Sequence, residues 1–242
     1  MTEFVLAVAG HRAARVHETA RLLTAFTALE AVAVPVPPDP AGLTAAVRAL
    51  AADAVFLTGT DRDQARATQL ALAGEVSVLT EEDTLAIAIA AAVRVALHRR
   101  DRTPADARVL IAGPSAAPLL VPVLVAAGTA DIMLWHPADA AAFPLTRVAR
   151  DVDVVVDLLG GHDPGPGPAV VTPGDPVAPL LALPGLLRAG LPAADLQAHL
   201  DVHAACAHAL ASLTPIDRLL PDPGDPDLAT RVADAVAETQ RR

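Results

Sequence analysis

The sequence predicts an α/β fold of two doubly wound parallel-sheet units, the second of which is Rossmann-like. Short aliphatic runs alternate with helical stretches along the whole chain. At the centre, residues 108–112 and 132–135 flank a turn and an apolar stretch at 116–127 that carries no charge. An uncharged helix between two buried strands is what a parallel sheet covered on both faces requires.

A charged break, HRRDR at residues 98–102, separates the two predicted units. We therefore expect a small α/β domain with a linker helix at 1–100 and a Rossmann-like domain at 101–242. A cleft is expected between them.

The first unit contains four strand–helix pairs, which predict a parallel sheet with right-handed crossovers. The acidic turn at 80–83 is typical of a helix start, because a hydroxyl followed by acids satisfies free N–H groups and the helix dipole. The predicted strands are Phe4–Ala9, Ala31–Val36, Ala54–Leu57 and Val76–Leu79. The predicted helices are His11–Glu30, Asp39–Leu50, Asp63–Ala73 and Thr84–Arg99.

The second unit repeats the alternation of strands and helices, with a flexible loop predicted at 160–168. Its predicted strands are Arg108–Ala112, Ile132–Trp135, Val152–Leu158 and Ala169–Thr172. Its predicted helices are Ala116–Ala127, Asp139–Arg150, Ala193–Leu213 and Asp227–Gln240.

Composition and charge exclude several classes of partner. The net charge of −10 and the aromatic content of 2% argue against nucleic-acid binding. No apolar stretch reaches the roughly 20 residues of a membrane span, and the single cysteine and the lack of a signal peptide predict a cytoplasmic protein. The hydrophobic content of 53% and the weakly charged helices at 84–97 and 116–127 predict a homodimer.

Three residue types are missing from the chain: lysine, asparagine and tyrosine. An alanine-, arginine- and proline-rich composition suggests a GC-rich genome as the origin of this bias. The chemical consequence is that no lysine or tyrosine can act as acid or base and no asparagine amide can hold a substrate.

Three stretches, in the same order, resemble the malic enzyme family. The first is VSVLTEEDTLAIAIAAAVRVAL at 76–97, and the second is the strand–turn–helix–strand at 108–134. The third is LPGLLRAGL at 183–191, followed by an alanine-rich helix and DRLLPDPGDPDLATRVADAVAE at 217–238. The resemblance covers about residues 54–240, with a gap near 175–183.

This resemblance implies an oxidative decarboxylase that uses NAD(P) and a divalent metal, Mg²⁺ or Mn²⁺. The family's catalytic tyrosine and lysine are missing here, and Asp175-Pro176 stands where an Asn-Pro is expected. Standard decarboxylation of malate is therefore not expected.

The predicted dinucleotide turn contains Gly113, Ser115 and Ala116. Gly113 permits the tight turn, but Ser115 replaces the glycine that lets the backbone approach a pyrophosphate, and Pro118 replaces the last glycine of the fingerprint. No acid follows the next strand, which ends at Trp135–His136. The sequence thus predicts weak or lost NAD(P) binding, and the alternative is an inherited fold that binds no dinucleotide.

The acidic turn that contains Glu81 and Glu82 resembles the metal-binding turn of the family, and Asp61 or Asp63 would supply the other carboxylate. Hard divalent ions need such clustered oxygens, so Asp61, Glu81 and Glu82 are the predicted metal ligands. The alternative for the acidic turn is an ordinary helix cap. A second possible metal site is the helical face formed by Asp195, His199 and His203, whose spacing suits Zn²⁺ but also suits a partly exposed helix face.

The predicted catalytic residues are Glu82, His136, His162 and Arg188, which should face one another across the cleft. His162 follows a predicted strand end, and Arg188 would pair with a substrate carboxylate unless it forms a structural ion pair. The leading hypothesis is a diverged malic-enzyme-like protein acting on a small organic acid or specialised metabolite. The alternative is a non-catalytic module that binds a ligand or partner and keeps only the scaffold.

Overall fold

The computed structural model describes residues 4–27, 29–36, 40–50, 52–160, 167–190 and 196–241. The described strands form two four-stranded parallel sheets, so the predicted α/β class with two parallel-sheet units is confirmed. The first sheet contains β1 Val5–Gly10, β2 Glu30–Pro35, β3 Ala54–Leu57 and β4 Ser77–Thr80. The second sheet contains β5 Arg108–Ala112, β6 Asp131–Trp135, β7 Val154–Asp157 and β8 Ala169–Val171.

The two sheets share one strand order, β2-β1-β3-β4 in the first and β6-β5-β7-β8 in the second. In each sheet the chain crosses first to one side of the opening strand and then to the other. The carboxyl ends of β1 and β3 therefore form a topological switch point, as do those of β5 and β7. Crevices at such points are where open parallel sheets bind ligands.

The helices cover both faces of each sheet. In chain order they are α1 Ala13–Phe26, α2 Pro40–Leu50, α3 Arg62–Ala71, α4 Glu81–His98, α5 Leu120–Ala126, α6 Leu145–Val148, α7 Leu183–Ala189, α8 Leu196–Ser212 and α9 Leu228–Gln240. The first three residues of the helix predicted at 193–213 lie outside the described residues.

Alternation along each strand explains this layering, because successive side chains point to opposite faces of a sheet. On β1, Leu6 and Val8 belong to the large core on one face. Ala7 and Ala9 belong to a separate cluster on the other face, with residues of α2 and α3. A strand buried on both faces must be apolar throughout, as β1 is.

Helix α4 lies at the centre of the large core and contacts both units. Its first turn forms a capping box in which Thr80 and Asp83 exchange hydrogen bonds, as the acidic turn predicts. The helix packs against β4 in the first unit and against α5 and α8 in the second. The core is continuous across the break at 98–102, and the division at residue 100 stays a prediction.

Three predicted helices are substantially shorter in the structure, and two of them lie next to a proline. The helix predicted at 11–30 ends at Phe26, because Thr27 adopts an extended conformation and β2 begins at Glu30. The helix predicted at 116–127 is replaced by a 3₁₀ turn at Pro114–Ala116 and by α5, because Pro118 keeps Ala117 out of the helical region at φ −144° and ψ 73°. The helix predicted at 139–150 is reduced to α6 between two 3₁₀ turns, since Pro144 restricts the residue before it. Within the described residues, no helix combines the length and apolarity of a membrane span.

Candidate functional site

A cavity of about 480 Å³ lies where the carboxyl edge of the first sheet faces the turn after β5. The first sheet contributes residues after β1, β3 and β4, and the second unit contributes the 3₁₀ turn and Pro118. The cavity brings together Asp61, Glu81, Glu82, Ser115 and Ala116, which are five of the residues that the sequence analysis proposed for metal and cofactor binding.

Glycine at position 10 lets β1 and β3 approach each other closely at this edge. A Cβ atom on Gly10 would lie 1.8 Å from the carbonyl oxygen of Thr58, so any side chain would displace the backbone. This close approach places the residues that follow the two strands, Arg12 and Gly59, side by side. A Cβ on Gly59 would lie 3.3 Å from the Cβ of Arg12.

The Glu81 side chain connects three elements of the first unit at this edge. Its carboxylate pairs with Arg15 of α1 and accepts hydrogen bonds from the Thr58 hydroxyl and, at 3.3 Å, from the Gly59 N–H. The carboxylate thus joins α1, the loop after β3 and the start of α4. With its charge compensated by Arg15, Glu81 has a structural role here.

Glu82 differs from its neighbour because its charge is poorly compensated. Its Oε1 atom is buried without a hydrogen-bond partner among the described residues, and the nearest cation, Arg62 Nε, lies 3.7 Å away. Burial raises the pKa of the Glu82 carboxyl, and the neighbouring charge of Asp83 raises it further. Arg62 and the backbone N–H of Leu119 act in the opposite direction.

Two arginines give the cavity a positive side. Arg12 and Arg62 both line it, and both side chains are exposed to solvent. The Arg12 guanidinium has no hydrogen-bond acceptor among the described residues, and Arg62 has only the 3.7 Å ion pair with Glu82. The cavity therefore offers two guanidinium groups and one carboxyl that resists ionisation, a combination suited to an anionic ligand.

The turn after β5 does not fit a dinucleotide. Gly113 has the left-handed φ of 76° that a tight turn needs, but a Cβ there would lie 2.5 Å from Leu159 Cδ2. The Leu159 side chain thus covers the glycine over which a pyrophosphate would lie. The N–H groups of Ala116 and Ala117 donate to carbonyls within the same turn, at 3.0 and 3.2 Å.

The ribose end of a dinucleotide site is also missing. Trp135, at the end of β6, is buried, and its indole N–H donates to the Phe143 carbonyl at 2.7 Å. His136 follows it and is exposed, so no carboxylate stands where ribose hydroxyls would bind.

The three proposed metal ligands line one cavity, but they do not form a metal site. Asp61 caps α3 by accepting the Gln64 N–H at 3.0 Å, Glu81 pairs with Arg15, and Glu82 faces Arg62. In the part of the chain that the structure describes, no group of three or more His, Cys, Asp or Glu side chains could hold an ion. The residues present therefore do not fit Mg²⁺ or Mn²⁺.

The remaining proposed catalytic residues lie away from this cavity or outside the described residues. His136 is exposed after β6 and does not line the cavity. Arg188 lines a different cavity, where it donates to Thr230. His162 lies outside the described residues, so the expected meeting of all four side chains is not seen.

The face proposed for zinc is partly described. Asp195 lies outside the described residues. The rings of His199 and His203 stand edge to face, with centroids 5.5 Å apart. His203 is buried, and neither of its ring nitrogens has a hydrogen-bond partner among the described residues. These two rings alone do not make a metal site.

Sequence reasoning missed the arginines of the cavity, Arg12 and Arg62. A usable signal existed, because Arg12 follows β1 and Arg62 follows β3, the two strands at the switch point of the first sheet.

Comparison with solved structures identifies the fold. A malic enzyme from Pyrococcus horikoshii matches with a TM-score of 0.71 and 15% identity over 98% of this chain and 76% of that one. An NAD-dependent malic enzyme from Thermotoga maritima matches with 0.72 and 14% over 96% and 84%. An Entamoeba histolytica malic enzyme matches with 0.75 and 14% over 98% and 69%.

Comparison by sequence finds no match: no protein-family model matches the chain, and no curated protein matches it. The structural matches extend over nearly the whole chain, including the first unit, in which the sequence resemblance began only at residue 54. The resemblance to malic enzymes is confirmed at the level of the fold, and this chain has the malic enzyme fold.

Proposed function

We propose that this chain is a diverged malic-enzyme-like protein whose cavity between the two sheets binds a small organic acid, without oxidative decarboxylation of malate. The observation that carries the proposal is Glu82, which lines this cavity together with Arg12 and Arg62 and whose buried Oε1 lacks a hydrogen-bond partner among the described residues. In this proposal a ligand carboxylate pairs with the two guanidinium groups.

Glu82 supplies the proton chemistry in this proposal. A carboxyl with a raised pKa retains its proton closer to neutral pH than an exposed glutamate does. Next to a bound acid, the protonated form donates a hydrogen bond, and the ionised form accepts a proton from the ligand. Glu82 therefore acts as the general acid or base of a repurposed enzyme of specialised metabolism.

The pH dependence of binding tests the role of Glu82. An ionised Glu82 repels an anionic ligand, so affinity should fall as the pH rises through the raised pKa of Glu82. Calorimetric titration with pyruvate and with malate, between about pH 5 and pH 8, measures this change. Glu82→Gln replaces the carboxyl with an uncharged amide of similar size, so ligand binding to that variant should lose its pH dependence.

Substitution of one arginine inside the cavity and of one outside it gives a matched comparison. Arg62→Gln should weaken pyruvate and malate binding by about tenfold, the loss of one charge-assisted contact. Arg48→Gln serves as the control, because Arg48 pairs with Glu75 on the surface and does not line the cavity. Equal affinity of the wild type, Glu82→Gln and Arg62→Gln for both acids would refute the proposal, and so would the absence of binding.

A second candidate function is a non-catalytic ligand-binding module. The side chain of Leu159 over Gly113 favours it, since a protein without a dinucleotide site cannot carry out the hydride transfer that this fold supports elsewhere. Binding of an organic acid without turnover of any acid tested distinguishes the module from the enzyme. In both cases we propose a cytoplasmic homodimer with a small-molecule ligand.

A further inference from the structure

A second and larger cavity, of about 850 Å³, lies between the end of α1 and helices α7 and α9. It is separate from the cavity that contains Glu82, with which it shares no lining residue. Its volume falls within the range of about 300–1,000 Å³ that is usual for small-molecule sites. Its apolar wall includes Phe4, Phe26, Leu29, Val177, Leu180 and Leu187.

The ends of neighbouring elements create this cavity. Helix α1 stops at Phe26 because Thr27 adopts an extended conformation, and both its N–H and its hydroxyl donate to the Leu23 carbonyl. The Phe26 side chain is left 41% exposed at the rim, as is that of Phe4. Two exposed aromatic side chains beside one apolar cavity are typical of a binding surface.

The opposite wall depends on a close contact between α7 and α9. A Cβ on Gly185 would lie 2.4 Å from the Val232 Cβ, so only glycine allows this approach. With Gly185 turned toward α9, its neighbours Pro184, Leu187 and Arg188 line the cavity.

Arg188 is the only cationic residue that lines the cavity among the described residues. Its Nη1 donates to the Thr230 hydroxyl at 2.9 Å, which orients the guanidinium without neutralising it. In the described part of the chain no carboxylate lies within ion-pair distance of it. The other charged group of the lining, Asp225, already accepts the N–H of Asp227 at 2.9 Å.

We propose that this second cavity binds an amphipathic monocarboxylate, with its apolar body between α1 and α7 and its carboxylate on the Arg188 guanidinium. The planar guanidinium can donate two parallel hydrogen bonds to a carboxylate, which a hydroxyl or an ammonium group cannot accept. The apolar wall excludes small, highly polar acids as strong ligands, because their burial would leave the wall unfilled. This proposal does not depend on the function assigned to the first cavity.

The test compares ligands that share a body or a headgroup. Calorimetric titration at neutral pH uses octanoate, octanol, octylammonium and acetate. Octanoate should bind at least about tenfold more tightly than each of the other three, since only octanoate supplies both the apolar body and the anion.

Three variants locate the site. Arg188→Gln should reduce octanoate affinity to that of octanol, and Thr230→Val should reduce it less, because the guanidinium loses its orientation but keeps its charge. Arg48→Gln should bind octanoate as the wild type does. Thermal unfolding of each variant shows whether it remains folded. Arg188→Lys, which keeps the charge but not the planar fork of the guanidinium, is a second variant at this position.

Several outcomes would overturn the proposal. Equal binding of octanoate and octanol would show that Arg188 does not select an anion. Unchanged octanoate affinity in both Arg188→Gln and Arg188→Lys would place the ligand elsewhere. Absence of octanoate binding, together with a smaller particle mass for Arg188→Gln in light scattering, would show that a second copy of the chain occupies the cavity.

Discussion

At the scale of single residues, His203 is the most unusual group outside the two cavities. It lies on α8, is 2% exposed, and has no hydrogen-bond partner for either ring nitrogen among the described residues. Burial lowers the pKa of His203, and the nearby His199 lowers it further, while the charge of Asp83 acts against both. A neutral imidazole is therefore favoured in the folded protein.

This residue should make the folded state sensitive to mild acid. Below about pH 6.5 the unfolded chain binds a proton at His203 more readily than the folded protein does, so the free energy of unfolding falls as pH falls, by at most about 1.4 kcal/mol per pH unit. The contribution is fully present above the unfolded pKa and is lost below it. Denaturant unfolding of His203→Leu, between about pH 5 and pH 7.5, should show a smaller slope than the wild type.

His17→Leu is the control, because His17 is an exposed histidine on α1. The slope measured for His17→Leu is the reference with which the slope of His203→Leu is compared. An identical slope for the wild type and His203→Leu would mean that the buried imidazole gains its proton in the folded protein.

At the scale of elements, the junction between β5 and α5 decides whether the fold binds a dinucleotide. Pro118 delays the helix to Leu120, and the loop after β7 lays Leu159 over Gly113. Asp157 holds that loop by accepting the N–H groups of Leu159 and Gly160, at 3.0 and 3.1 Å. The backbone that carries the Leu159 side chain is thus held in place by hydrogen bonds.

We expect neither NAD⁺ nor NADP⁺ to bind with a low-micromolar dissociation constant in calorimetric titration. Leu159→Ala uncovers Gly113, but the missing glycines and the missing ribose acid should keep binding weak in that variant also. A low-micromolar dissociation constant for the wild type would contradict this expectation. Steady NAD(P)H production from malate in the presence of Mg²⁺ or Mn²⁺ would contradict it independently.

The contact between α7 and α9 gives a second prediction at this scale. Gly185→Ala would bring a methyl group to within 2.4 Å of Val232 Cβ and 2.8 Å of the Ala229 carbonyl oxygen. Overpacking of this kind costs about 1–3 kcal/mol, which corresponds to several degrees in Tm for a chain of this size. Thermal unfolding measures the loss.

Gly174→Ala is the matched control. The nearest atom to a Cβ at Gly174 is Thr172 Oγ1 at 3.9 Å, so the substitution should change Tm little. Equal Tm values for the two variants would show that α7 moves freely away from α9.

At the scale of the whole molecule, exposed apolar side chains predict association of two chains. Leu134, on the edge strand β6, is 50% exposed, and Phe143 is 61% exposed. An unpaired edge with apolar side chains is a common surface for strand pairing. Light scattering should therefore give about twice the 24.7 kDa of one chain.

Leu134→Arg should shift the particle mass toward that of one chain, since a charge on an edge strand opposes pairing. Leu70→Arg is the control, because Leu70 is 62% exposed on α3, away from this edge. A wild-type protein that remains monomeric at all accessible concentrations would refute the dimer. A dimer insensitive to Leu134→Arg would place the interface elsewhere.

The sequence by itself determined the elements and the fold class. Alternating faces on β1 and the capping box at Thr80 are local consequences of side-chain direction and of unsatisfied N–H groups, so they can be predicted without the tertiary structure. The losses in the dinucleotide fingerprint are equally local. Two of the three helices predicted too long are interrupted where a proline restricts the residue before it, as Pro118 and Pro144 do.

Only the tertiary structure decided which side chains meet. Glu82 faces Arg62 across twenty residues because β3 and β4 are neighbours whose carboxyl ends open on the same edge. Arg188 lies on α7 and lines a different cavity, although its position in the chain suggested a role beside Glu82. Strand order and helix contacts are set by packing between distant segments, and no local pattern in the sequence encodes them. For this reason the sequence predicted the helices and strands well but predicted the site only in part.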